Sequence, residues 1–186
     1  MNGVTVQYEL VDEVISYLDL RGGIRILVDG ERVNRLRDEA AHESNREWEP
    51  EYVGELVWKD IGGVVRVATR LASGECEVWE REQLDLSPGM GVFAFEPVSA
   101  QDLVVSYWIP AGDDIPTVTP ESGRGYVVRR CQFCRSVRDT AHEYLDEVEA
   151  MGIEFGRSAF EEYRTALDEL DTALETCRET TPETRF

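Results

Sequence analysis

Residues 84–108, LDLSPGMGVFAFEPVSAQDLVVSYW, decide how this chain is read. Two apolar runs, 92–95 and 103–108, flank Ser99-Ala100-Gln101-Asp102, which has the composition of a tight turn, so the stretch predicts a β-hairpin. Neither face of the second run is polar: Leu103, Val105 and Tyr107 alternate with Val104, Ser106 and Trp108. Both sides therefore want cover, one from the chain's own helices and the other from C-terminal helices or another subunit. Nothing in the hairpin is an obvious nucleophile, general base or metal ligand. The expectation is a protein that works by contact.

Outward from the hairpin, the whole of 52–109 reads with a period of two. Strands are expected at 56–58, 64–71, 76–79, 91–98 and 103–109, with Ile61-Gly62-Gly63, Ala72-Ser73-Gly74-Glu75 and Ser87-Pro88-Gly89 as turns. Connections this short permit only antiparallel neighbours. Upstream, Leu10, Val11, Val14, Ile15 and Leu18 share one face of a short helix ended by Arg21-Gly22-Gly23. Asp29-Gly30 signals a hairpin, while Val33, Leu36, Ala40 and Trp48 fit a helical face. The favoured reading is a strand to Gly30, then a helix over 32–48 stopped by Pro50.

Downstream, 110–125 is a long Pro- and Gly-containing loop, suited to a functional arm or hinge. Val128, Cys131, Cys134, Val137, Ala141, Leu145, Val148 and Met151 predict a helix over 126–151 capped by Gly152. Ser158-Ala159-Phe160-Glu161 is a capping box before a second helix, with Phe160, Tyr163, Leu167, Leu170, Leu174 and Cys177 at alternating three and four. The fold class expected is α+β: N-terminal helices, an antiparallel β meander and a C-terminal αα-hairpin. Residues 1–151 would form the main domain, and 152–186 the heptad helix with a disordered tail.

The chain has 186 residues, enough for a real core, and carries 38 Asp plus Glu against 19 Lys plus Arg, a formal net charge of -19. That balance repels nucleic acid phosphates and anionic lipid, which argues against sequence-specific nucleic acid binding and against a membrane partner. The basic cluster Arg124, Arg129, Arg130, Arg135 and Arg138 is modest beside it. Lys59 is the single lysine, so arginine is kept while lysine is almost absent. The combination is that of a salt-in halophile, particularly a haloarchaeon, rather than of an ordinary acidic protein. The first twenty residues have neither the basic nor the apolar region of a signal peptide, and no run approaches membrane-spanning length, so synthesis in a host cytoplasm is expected.

Chemical candidates are few. Cys131-Gln132-Phe133-Cys134 has the spacing of half a zinc site, which His142 and Cys177 would complete. Both cysteines also lie on the apolar stripe of the expected helix, where Cys acts as a small hydrophobe. All four cysteines (Cys76, Cys131, Cys134, Cys177) are expected as reduced thiols, with no metal and no cofactor bound. His42, among Asp38, Glu39 and Glu43, reads as a solvated helix-face residue. No catalytic triad, GxxxxGK[ST] or GxGxxG is present, and no enzymatic activity is expected. The interface candidates are Phe93, Phe95, Tyr107 and Trp108 of the hairpin, with Phe160, Tyr163, Leu167, Leu170 and Leu174 of the last helix.

The order of elements resembles the head-tail connector (adaptor) proteins of tailed double-stranded DNA viruses. The likeness rests on Ala40-Ala41-His42-Glu43-Ser44-Asn45-Arg46-Glu47-Trp48, similar to that family's small-residue and aromatic helix, on QLDLSPGMGVFAF, and on Val104-Val105-Ser106-Tyr107-Trp108, similar to its closing strand. It covers about 33–150; the Cys-x-x-Cys and the additional heptad helix depart from it. The resemblance implies a virion neck subunit without catalytic residues, forming a ring of identical subunits between the portal protein and further neck or tail proteins. The alternative from another class is a cytoplasmic haloarchaeal regulatory or zinc-binding module using Cys131 and Cys134.

The acidic excess has a direct consequence. At molar salt the Debye length is about 3 Å and self-repulsion is screened, whereas at about 0.1 M it is about 10 Å. Thermal melting followed by circular dichroism will therefore show a large fall in Tm as KCl is lowered across that range; an unchanged Tm refutes the halophile reading.

Overall fold

The computed structural model describes residues 3–10, 20–34, 51–86, 91–108, 125–152 and 157–177, with backbone alone for 157–160. Among them the chain is a mixed α+β fold with two antiparallel sheets and three helices. The first sheet has β1 (Val4–Leu10), β2 (Gly22–Val28) and β3 (Glu31–Arg32), in that order. The second is a meander of β4 (Glu82–Asp85), β5 (Val92–Pro97), β6 (Asp102–Trp108) and β7 (Gly125–Arg129). Helices α1 (Val57–Ser73), α2 (Arg130–Ala150) and α3 (Arg157–Thr176) pack on one another, and α1 also touches β1, β2 and β4.

The largest correction is α1, which lies where strands at 56–58 and 64–71 are expected. Val57, Val64, Val65, Val67 and Thr69 favour strands locally. Yet Val57, Ile61, Val64, Val65, Ala68, Leu71 and Ala72, all buried, recur at the three- and four-residue spacing of one helical face, and burial of that face outweighs propensity. Gly62 and Gly63 are not a turn. A Cβ at Gly63 would collide with the Leu84 side chain, so glycine here lets β4 lie directly against the helix. The helix ends at Gly74, whose φ of 79° is the left-handed cap that the sequence reads as a turn.

Other expectations shift by a few residues. Leu10 ends a strand and does not begin a helix, and the first described helix starts at Val57; residues 11–19 lie outside the described part. Asp29-Gly30 makes the hairpin turn into β3, with Asp29 at φ 52° and Gly30 at φ 83°, so Arg32 lies in a strand and Val33 and Asn34 in a turn, none of them helical; residues 35–48 of the expected helix fall outside the described residues. Residues 76–79 form a turn, and the strand begins at Glu82. Tyr126 belongs to β7, and α2 starts only at Arg130. Ser158 falls inside the first turn of α3, not before it. The turn at Ser87-Pro88-Gly89, the 110–124 part of the loop and the tail from residue 180 also lie outside the described residues.

α2 and α3 run antiparallel, but they are not a free-standing pair: α3 lies chiefly on α1, and each of the three helices touches the other two. Leu167, Leu170 and Leu174 share a continuous core with residues of both sheets, α1 and α2. The helix pair is tied at its open end by a Cys131–Cys177 disulfide, with Cα atoms 5.9 Å apart, contrary to the expectation of four thiols. Both sulfurs sit on the buried stripes that press the two helices together, and that packing brings them within bonding reach. Arg135 donates to the Cys177 carbonyl at 3.3 Å in the same place. At the other end Tyr163 Oη donates to the Ala141 carbonyl at 3.0 Å, and Arg164 pairs with Glu149.

A disulfide closing a loop of sequence separation 46 restricts the unfolded chain. Cys177→Ser will lower unfolding free energy by about 3–4 kcal/mol in denaturant titrations at molar salt. Alkylation of denatured, unreduced protein will label Cys76 and Cys134 alone; four labelled cysteines would show the bond to be absent.

Candidate interaction surface

The hairpin forms as expected, in the register Phe93↔Tyr107 and Phe95↔Val105. Its turn is built by Ser99, whose hydroxyl accepts from the Gln101 and Asp102 backbone N–H groups and donates to the Asp102 carboxylate at 3.0 Å. Phe93, Phe95, Leu103 and Val105 face the helices. Phe95 meets Phe133 of α2 at 5.1 Å between ring centroids, and Phe93 meets Tyr107 at 5.1 Å. Phe93 and Phe95 are fully buried, so neither ring offers a free surface, and Tyr107 is half-buried.

The opposite face carries Val92, Ala94 and Trp108, a separate small cluster that is also buried. Among the described residues the Trp108 indole N–H is buried without a hydrogen-bond acceptor, and an unpaired buried donor of this kind costs about 1–3 kcal/mol. Of the last-helix candidates, Tyr163, Leu167, Leu170 and Leu174 are buried against α1 and α2, and Phe160 lies where only backbone is described. The residues chosen from the sequence as interface are thus largely spent inside their own chain.

The cysteine candidates do not converge. Cys131 is bonded to Cys177, and Cys134 is buried, with its thiol pushed up to about 12 by desolvation. Cys76 is likewise buried and raised to about 11, chiefly by desolvation. His142 pairs with Asp171 at 3.0 Å on the surface, and His42 lies outside the described residues. Among the described residues no three His, Cys, Asp or Glu side chains are placed to hold a metal ion. No helix among them is long and apolar enough to cross a membrane.

The surface feature that sequence reading missed is Trp79. It is 61% exposed, beside Val78 at 45%, in the turn between α1 and β4. Its φ of 72° puts a bulky side chain in the left-handed region, a conformation that costs on the order of 1–3 kcal/mol and must be held by its surroundings. Trp79 N donates to the Pro97 carbonyl at 2.7 Å, Glu80 N to the Glu77 carbonyl at 3.0 Å, and Glu77 N to the Glu80 carboxylate at 2.9 Å. Cys76 Sγ donates to the Glu80 carbonyl at 3.4 Å from beneath. The signal available in the sequence was a Trp standing among Glu75, Glu77, Glu80 and Glu82. A period-two reading absorbs it into a strand.

Comparison of the chain with known protein families, with curated proteins and with solved structures returns no match.

One carboxyl is buried away from this surface. Asp60 of α1 accepts from Glu55 N at 3.3 Å, serving the helix start where Leu56 has no capping side chain. It is 1% exposed, and burial raises its pKa to about 6 against the backbone hydrogen bonds and Lys59, which lower it. A raised acid binds its proton more tightly in the folded state, so its contribution is most favourable below the unfolded value and is lost as pH rises through the folded one. Between pH ~4 and ~7 wild type will lose about 2–3 kcal/mol relative to Asp60→Asn, measured by denaturant unfolding of both. Parallel pH profiles would show that Asp60 stays ionised throughout.

Proposed function

We propose that the protein is a non-catalytic structural subunit of a haloarchaeal tailed virus, a neck adaptor that assembles as a ring on the portal protein and receives a further neck or tail protein. The observation that carries this reading is the β5–β6 hairpin. The Val104–Trp108 stretch that resembles the adaptor family's closing strand is an interior strand, flanked by β5 and β7, and its last residue holds an indole N–H without a partner. Against the zinc-binding alternative stands the Cys131–Cys177 bond, which removes the thiolate that module needs.

The reading is tested by producing the protein at molar KCl, alone and with the portal protein encoded in the same genome. Sedimentation velocity and negative-stain imaging will show a closed ring of identical subunits, free or seated on the portal. A monomer under both conditions overturns the assignment.

A further inference from the structure

The turn at residues 75–80 is built to present one residue. Trp79 is the most exposed large apolar side chain among the described residues, and its unfavourable backbone is maintained by four hydrogen bonds within the turn and to β5. Glycine at that position would remove the backbone cost, so the backbone of the turn does not itself call for a tryptophan. A pinned aromatic ring loses little entropy on binding, and tryptophan is the side chain most often found to dominate an interface.

The surroundings state what would bind. Val78, Glu75, Glu77 and Glu80 are exposed around the ring. The nearby guanidiniums are already paired: Arg70 with Glu80 at 3.4 Å on the surface and with Glu82, and Arg81 with Glu96 at 2.9 Å. Glu75 and Glu77 enter no ion pair among the described residues, so the ring is flanked by uncompensated negative charge. Nucleic acid and an anionic membrane carry the wrong sign for this surface. The complementary occupant is cationic.

We propose that the Trp79 turn is a docking knob for an arginine-bearing segment of a partner protein, with the guanidinium stacked on the indole face and Glu75 and Glu77 alongside it. A planar, weakly hydrated guanidinium suits both an aromatic face and a carboxylate, where an ammonium suits them less well. Because the attraction is partly dispersive and apolar, it persists at salt concentrations that screen the carboxylates. The inference does not depend on the partner being a portal or neck protein.

The test uses the full-length protein, at a salt concentration where it is folded, and three synthetic peptides with alanine and leucine spacers: one with two arginines, one with two lysines and one with two glutamates in their place. Affinity is read by isothermal titration calorimetry for every variant, and the place of binding from the Trp79 indole N–H resonance, assigned by its loss in Trp79→Gly. The arginine peptide will shift that resonance saturably, the lysine peptide will bind at least severalfold more weakly, and the glutamate peptide will not bind. Trp79→Gly will lose at least tenfold in affinity with Tm unchanged or raised, and Glu75→Gln/Glu77→Gln will lose a smaller factor. Equal binding of the arginine peptide by Trp79→Gly, no shift with any peptide, or concentration-dependent self-association that Trp79→Gly abolishes would each overturn the proposal. A ring-assembly failure leaves this result standing, and failure here leaves the ring untouched.

Discussion

The close packing of α1 is the constraint on which the rest of the molecule depends. Its apolar face is buried along its length, and it meets β1, β2, β4, α2 and α3. These contacts join it to both sheets and both other described helices, so an error in its conformation would expose the cores of both sheets together. Two local devices make the packing possible. Gly63 has no side chain, which lets Leu84 of β4 press on the helix backbone, and Asp60 turns inward to accept the backbone N–H groups at the helix start. The second device carries a penalty, since a carboxylate there is desolvated, and Gly54 beside it holds a φ of 119° with no room for a Cβ next to that carboxylate. The molecule accepts a buried acid to begin the helix that organises its core.

What sequence reading recovers, and what it misses, follows from the range of the forces involved. The β5–β6 hairpin is legible because its signals are local: alternating apolar runs and a serine turn whose hydroxyl caps its own backbone. The turn at Asp29-Gly30 and the left-handed Gly152, at φ 67°, are legible for the same reason. Helix α1 is misread because its β-branched residues speak for strands at short range, while its helical face has meaning only once α3 and the sheets are there to cover it. β7 is misread in the opposite sense. Val128 fits a helical stripe as well as a strand, and its pairing with Leu103 depends on a strand some twenty-five residues earlier. The Cys131–Cys177 bond joins two stripes that sequence places on separate helices without saying how they align.

The candidate surface shows the same division. Burial explains why the conspicuous aromatics fail as free anchors: Phe93, Phe95 and Phe133 are large, adjacent in space and needed to fill the gap between the second sheet and α2. A second aromatic chain, Tyr8 to Tyr144 at 5.3 Å and Tyr144 to Tyr163 at 5.9 Å, joins the first sheet to α2 and α3. Trp79, which serves neither seam, is therefore more informative about function than residues that look more hydrophobic in sequence.

The arginine bias of the composition also acquires a structural reason. Arg81 sends both Nε and Nη2 to one oxygen of Glu96, at 3.0 and 2.9 Å, on a sheet face where Glu96 is buried. Arg129 reaches Asp102 at 2.6 Å across the β6–β7 ladder, while Arg25 lies 4.4 Å over the Tyr52 ring and pairs with Glu51. Each of these uses the planar fork or the stacking face of a guanidinium, neither of which lysine has. The Arg81–Glu96 pair, sheltered in this way, is screened little by salt, whereas exposed carboxylates such as Glu51 are screened strongly. The charges thus divide into a small sheltered set that positions strands and a large exposed set that responds to solvent.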